Sequence, residues 1–128
     1  MILETERLFL REMRQNDFRD LAEILQNPNE MIGQAGLTIQ PYKNAEVLEI
    51  GYLLKERFWH CGYARETVNG CKKYAFEYLN KDKVYSIIKA DNLASIKVAE
   101  SVGMSKEDEF ITQYYNGDML HYLYSIRK

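Results

Sequence analysis

The residues best suited to chemistry form a run of small side chains before a helix. In Arg57-Phe58-Trp59-His60-Cys61-Gly62-Tyr63-Ala64 a glycine and an alanine stand two residues apart, directly ahead of a long helical pattern. A strand-like segment, Glu49 to Leu54, precedes them. Strand, tight turn and helix start suit a phosphate. The first N–H groups of a helix lack acceptors within it and carry the positive end of its dipole. Gly62 and Ala64 would let a pyrophosphate reach the backbone without meeting a large side chain. The same turn also serves as a plain structural connection, in which Gly62 only makes the bend and Ala64 only begins the helix.

Other chemistries find little support. The sequence contains no Walker A loop, no Gly-x-Gly-x-x-Gly fingerprint and no Gly-x-Ser-x-Gly elbow. Cys61 and Cys71 lie ten residues apart and the chain has two histidines, a spacing that matches no zinc site. Cys71 falls on an apolar helical stripe and reads as core. His60 and Cys61 precede the loop glycine, where backbone matters more than side chain, and are assigned no catalytic role. A net charge of −2 gives no basic footprint for nucleic acid. The charged N-terminus does not read as a signal peptide, and no apolar run is long enough to span a bilayer. A cytoplasmic protein with reduced thiols is expected.

The elements that must position these residues follow from periodicity. With 128 residues, 46% of them hydrophobic, one domain is expected. "ERLFLRE" alternates as a strand. A helix is expected from about Asp17, with Asp20 in its first turn, an apolar stripe of Phe18, Leu21 and Leu25, and an end at Asn27-Pro28. "EMIGQAGLTIQ" and "AEVLEIGYLL" read as a hairpin about a "PYKN" turn, with Glu49, Gly51 and Leu53 on one face and Leu48, Ile50, Tyr52 and Leu54 on the other. The long helix covers about Ala64 to Leu79, its stripe formed by Ala64, Val68, Cys71, Ala75 and Tyr78. Strand "VYSIIKA" follows. A shorter helix spans about Leu93 to Val102, capped by Asp91 or Asn92, with Gly103 just past its end. "SKEDE" reads as a solvated loop. "EFITQYY" and "MLHYLYSI" read as a hairpin about Asn116-Gly117-Asp118; Tyr114, Tyr115, Tyr122 and Tyr124 are expected to pack or line the sheet, beside the lesser reading that they shape an acceptor pocket. The implied fold class is α/β (α+β), a mixed and mostly antiparallel sheet flanked by helices.

With these motifs in order, "EIGYLL…FWHCGYARE…ADNLASIKVAESVGM" resembles the GCN5-related N-acetyltransferases (GNAT), in the branch of the ribosomal-protein N-acetyltransferases. The family's [Gln/Arg]-x-x-Gly-x-[Gly/Ala] loop maps onto Trp59, His60, Cys61, Gly62, Tyr63 and Ala64, and Glu66 fits as well. Asn-x-x-Ser maps onto Asn92 and Ser95, and Gly-[Phe/Met] onto Gly103-Met104. The resemblance implies acetyl-CoA as cosubstrate and an amine as acceptor, with pyrophosphate on the N–H groups of about His60 to Ala64. Pantetheine would run beside "EIGYLL", with Leu53 and Leu54 along it, and the Leu53 N–H would polarise the thioester carbonyl. Asn92 would contact the cofactor. Glu49 is the candidate base for the amine proton, beside the reading of an ordinary exposed carboxylate. Many relatives protonate the departing thiolate with a tyrosine seven residues after the asparagine. Ala99 stands there, so Ser95 becomes the candidate donor, beside the reading of a serine in a first helical turn.

The sequence departs from the family after Asn29, where "NPN" passes straight into "EMIGQAG". A second helix and following strand are missing there, as if deleted. "EMIGQAG" is therefore expected to be an open edge that pairs with another copy, making a homo-oligomer (a dimer or swapped dimer). A non-catalytic CoA-binding module without an acceptor site is the alternative to a working enzyme.

Overall fold

The computed structural model describes residues 2–12, 21–27, 30–114 and 117–128. Two short strands, β1 (Ile2–Glu4) and β2 (Phe9–Glu12), open the fold and pair antiparallel. Leu8 and Leu10 are buried beneath it.

β3 (Leu21–Asn27) runs antiparallel between β2 and β4 (Glu30–Tyr42). The helix expected up to Asn27 is thereby corrected, since Leu21 and Leu25 lie in a strand; Asp17, Phe18 and Asp20 fall outside the described residues. The cause is tertiary. A strand at this place satisfies ladder groups on β2 and β4 together, and that outweighs a spacing of four that fits a helix. Ile24 and Leu25 are both buried although adjacent, because the ladder shifts register on either side of Leu25. β3 also covers the expected open edge at "EMIGQAG", pairing Leu21 with Gly36 and Leu25 with Met31.

β4 and β5 (Ala45–Leu54) form an unbroken antiparallel hairpin. Its turn is tighter than "PYKN" suggested. Pro41 and Tyr42 still belong to β4, and the chain reverses at Lys43–Asn44. After a 3₁₀ turn at Glu56–Phe58 comes α1 (Tyr63–Glu77), then β6 (Lys83–Lys89), α2 (Leu93–Ser101), β7 (Ser105–Tyr114) and β8 (Gly117–Arg127). Among the described residues these strands form one eight-stranded sheet, in the order β1-β2-β3-β4-β5-β6-β8-β7, antiparallel everywhere except between β5 and β6.

The alternation in "AEVLEIGYLL" decides which face is buried. Leu48, Ile50 and Leu54 join Val68, Cys71 and Ala75 of α1 and Ala99 of α2 in one core, so both helices lie against the same face. Each leucine, isoleucine or valine in this set contributes roughly 1.5–3 kcal/mol by leaving water. Ala75 has no exposed surface, so a larger residue there would push α1 off the sheet. Tyr78, expected in the stripe, instead sits past the helix end, 68% exposed, and stacks on Tyr74.

On the opposite face, His121 and Leu123 of β8 are also buried. The tip of the β4–β5 hairpin crosses this face to β7: the Tyr42 hydroxyl donates to Asp108 at 2.6 Å and Lys43 Nζ at 2.7 Å. "SKEDE" is therefore the start of β7 rather than a loop, and its charges are used. Besides Asp108, Glu107 takes Lys83 and the Ser125 hydroxyl. Gly117 and Asp118 open β8, and Asn116 and Tyr115 lie outside the described residues.

Candidate active site

β5 and β6 run parallel but share only the register pair Glu49–Tyr85 before they separate. Ligands favour the carboxyl ends of parallel strands, where backbone groups lose their ladder partners. Here side chains take up those groups. The Ser86 hydroxyl donates to the Ile50 carbonyl at 3.0 Å, and the Ile87 N–H donates to Glu49 Oε2 at 3.1 Å. A cleft of about 450 Å³ opens between the strands, with Glu49, Gly51, Tyr52, Ser86 and Ser95 in its walls. Glu49 is half-buried and not an ordinary exposed carboxylate. Burial pushes its pKa above the usual carboxylate value, against a smaller opposite pull from the Ile87 N–H.

Ladder parity corrects one expectation. The Lys55 N–H donates to the Ile32 carbonyl at 2.9 Å, so the Leu53 amide, two residues earlier, also faces β4, where Leu53 pairs with Gln34. Residues 50, 52 and 54 point their backbone groups the other way, as the Ile50 and Leu54 carbonyls confirm by accepting from Ser86 and from Trp59 Nε1. The N–H groups beside the cleft are thus those of Tyr52 and Leu54.

A groove of about 590 Å³ continues from the cleft across the start of α1, lined by Leu53, Leu54, Trp59, His60, Gly62 and Ala64, with Tyr63 and Asn92 beside them. Gly62 caps α1 at φ 82°, and His60 is also left-handed at φ 61°. Such a turn before a helix aims successive N–H groups to one side, a concavity for anions. Cys61 lies outside this lining, is exposed, and takes part through its carbonyl, which accepts from Arg7 Nη1 at 3.0 Å.

Arg7 belongs to the site although no spacing in the sequence links it to the loop. Its backbone N–H and Nε donate to the two Glu66 oxygens at 2.7 and 2.8 Å, and Thr5 donates to the same carboxylate. Its guanidinium also lies 4.4 Å from the centre of the Tyr63 ring. The segment before β2 therefore holds the first turn of α1 in place. Burial alone would raise the Glu66 carboxyl, but the hydrogen bonds from Thr5 and Arg7 hold it below the usual range.

At the junction of cleft and groove, Asn92 Oδ1 accepts the Ser95 N–H at 3.2 Å, settling the cap of α2 on Asn92 rather than Asp91. That leaves the Ser95 hydroxyl facing the Tyr52 hydroxyl at 3.2 Å. Tyr52 is a candidate site residue that the sequence marked only as sharing a strand face with Leu48, Ile50 and Leu54. Burial raises its pKa, with the bond to Ser95 opposing. Cys71, by contrast, is a core thiol, pushed up to about 12 by burial. His121 also lines the cleft; only the fold brings it near Glu49. Among the described residues no cluster of side chains could hold a metal ion.

Residues 24–105 match the model of the acetyltransferase (GNAT) domain. The chain is 41% identical over 75 residues to the uncharacterized protein YkkB of Bacillus subtilis, covering 59% of this chain and 44% of that one. It is 32% identical to the uncharacterized N-acetyltransferase p20 of Bacillus licheniformis, covering 66% and 47%. It spans about half the length of these relatives. A GNAT-family acetyltransferase of known structure from Bacillus anthracis superposes with a TM-score of 0.84 at 19% identity, over 99% of this chain and 98% of that one. A split between parallel strands leading to a left-handed turn at a helix start, together with the domain match, assigns the chain: it belongs to the GNAT acetyltransferase family.

Proposed function

We propose that the protein moves the acetyl group of acetyl-CoA to a primary amine, either a protein N-terminus or a small-molecule amine, by direct attack on the thioester, its loop and Asn-x-x-Ser motifs resembling the ribosomal-protein N-acetyltransferase branch. One observation carries this reading. The catalytic cleft and the groove over α1 are continuous, with Tyr52, Asn92, Ser95 and Val98 lining both. An extended arm can lie in the groove with its anionic end at the helix start and its thioester beside Glu49.

The roles follow from that placement. N–H groups from about His60 to Ala64 hold the pyrophosphate, and Arg65 and Lys97 at the groove wall add positive charge. The Leu54 N–H serves the pantetheine, and the Tyr52 N–H, rather than that of Leu53, polarises the thioester carbonyl. Glu49, whose raised pKa brings it nearer to neutrality, takes the proton of the attacking ammonium directly or through one water. The amine nitrogen forms its bond to the carbonyl carbon, the carbon–sulfur bond breaks, and Ser95 passes a proton to the thiolate with Tyr52 behind it.

Calorimetry with acetyl-CoA and thiol release with an amine panel test the reading. No binding at millimolar acetyl-CoA sinks it; binding without thiol release favours the alternative of a CoA-binding module. Among the described residues no helix is long and apolar enough to cross a membrane, and the setting we propose is the cytoplasm. With β3 beside β4, homo-oligomerisation through the sheet falls to the outer strands β1 and β7. Light scattering at tens of micromolar that shows only monomer removes it.

A further inference from the structure

We infer that the acceptor enters beneath the tip of the β4–β5 hairpin and is a monoamine whose body is an uncharged planar ring. The inference deepens the acetyl-transfer reading and rests on it. A second cavity, of about 310 Å³, lies under the hairpin tip and shares Gln40, Ile87 and His121 with the catalytic cleft. It gives a path to Glu49 from the face opposite the helices.

Its wall is aromatic and held in place. Tyr42 meets Phe110 edge-on at 5.2 Å between ring centres, and Phe110 stacks on His121 at 5.4 Å and 17°. Asp108 fixes the Tyr42 hydroxyl, and His121 Nδ1 lies 3.1 Å from the Met119 carbonyl. A carbonyl only accepts, so Nδ1 carries the hydrogen there. Cavities of about 150 Å³ already hold benzene; this one admits a ring with a short arm that carries nitrogen toward Glu49.

Charge selects against acceptors with several amines. Among the described residues lining the two cavities, Glu49 is the one carboxylate, while Lys43 and Lys89 are cations. Asp108 lies outside both linings and is taken by Tyr42 and Lys43. One ammonium is drawn to Glu49. A second on the same acceptor would find Asp108 already paired with Lys43 and would meet the Lys89 ammonium.

The test measures acetyl-CoA-dependent thiol release with phenethylamine, spermidine and a short peptide with a free N-terminus, alongside calorimetry with acetyl-CoA. Phenethylamine is expected to give a kcat/KM at least tenfold above the other two. Thr112 lines the second cavity, so Thr112→Trp should fill it and raise the KM for phenethylamine at least tenfold, leaving acetyl-CoA affinity unchanged. Phe110→Ala should also raise that KM. Preference for spermidine or peptide, or an unchanged KM in Thr112→Trp, overturns this inference while acetyl-CoA binding and turnover keep the reading beneath it. Absence of acetyl-CoA binding overturns both.

Discussion

Replacing Gly62 with valine separates a phosphate cradle from a mere turn. Gly62 sits at φ 82°, where an L-residue with a branched side chain is strained by roughly 1–2 kcal/mol. A Cβ there would stand 3.1 Å from Arg7 Nη2, the end of a flexible side chain. Arg7 can yield by a few tenths of an ångström, so strain dominates the stability cost. For a chain of this size that cost lowers Tm by about 4–7 °C. Binding is affected separately. A valine at the mouth of the loop obstructs a phosphate, and losing one hydrogen bond to a charged group costs about 1.5–3 kcal/mol, or roughly ten- to a hundredfold in affinity. The control is Gly117→Val, since Gly117 is left-handed at φ 104° with no atom of the described residues within 4 Å of an added Cβ. Both variants should lose comparable Tm in calorimetric scans, and only Gly62→Val should lose acetyl-CoA affinity by titration. Equal affinities in the two variants would refute the reasoning and reduce the loop to a connection.

Further outcomes test the other groups. Glu49→Gln should lower kcat by about 10²–10⁴ with acetyl-CoA affinity unchanged. In the native protein kcat/KM should rise with pH on a limb above the ordinary carboxylate value, because burial raises Glu49 and the base works only when deprotonated. Tyr52→Phe and Ser95→Ala should each slow turnover, and in the double variant the effects should fall short of additive, as for two hydroxyls in contact. Arg7→Ala should weaken acetyl-CoA several-fold, because the Cys61 carbonyl and Glu66 lose their shared anchor. Glu66 titrates below its ordinary value when folded, so its contribution to stability is present above the unfolded value and lost as pH falls through the folded one. Arg7→Ala should flatten that acid dependence in Tm measured against pH.

The sequence by itself determined the parts whose physics is local. The alternation around Glu49 to Leu54 sorted the side chains onto two faces, the three- and four-residue spacing of Val68, Cys71 and Ala75 set the buried side of α1, and Gly62 marked the turn before it. The cap of α2 was legible to within one residue, as Asp91 or Asn92, and the bond from the Ser95 N–H to Asn92 Oδ1 decides between them. Long-range pairing decided the rest. Leu21 to Asn27 joins a sheet because β2 and β4 need a neighbour, a demand that a spacing of apolar residues does not record. Whether Leu53 or Tyr52 offers its N–H to the cleft depends on ladder register against β4. Arg7 reaches Glu66 across 59 residues, Tyr42 reaches Asp108 across 66, and His121 comes to line the cleft with Glu49 from the last strand. The turn proposed to hold phosphate is thus written in neighbouring residues, whereas the proposed acceptor side is assembled by strands that meet only in the folded chain.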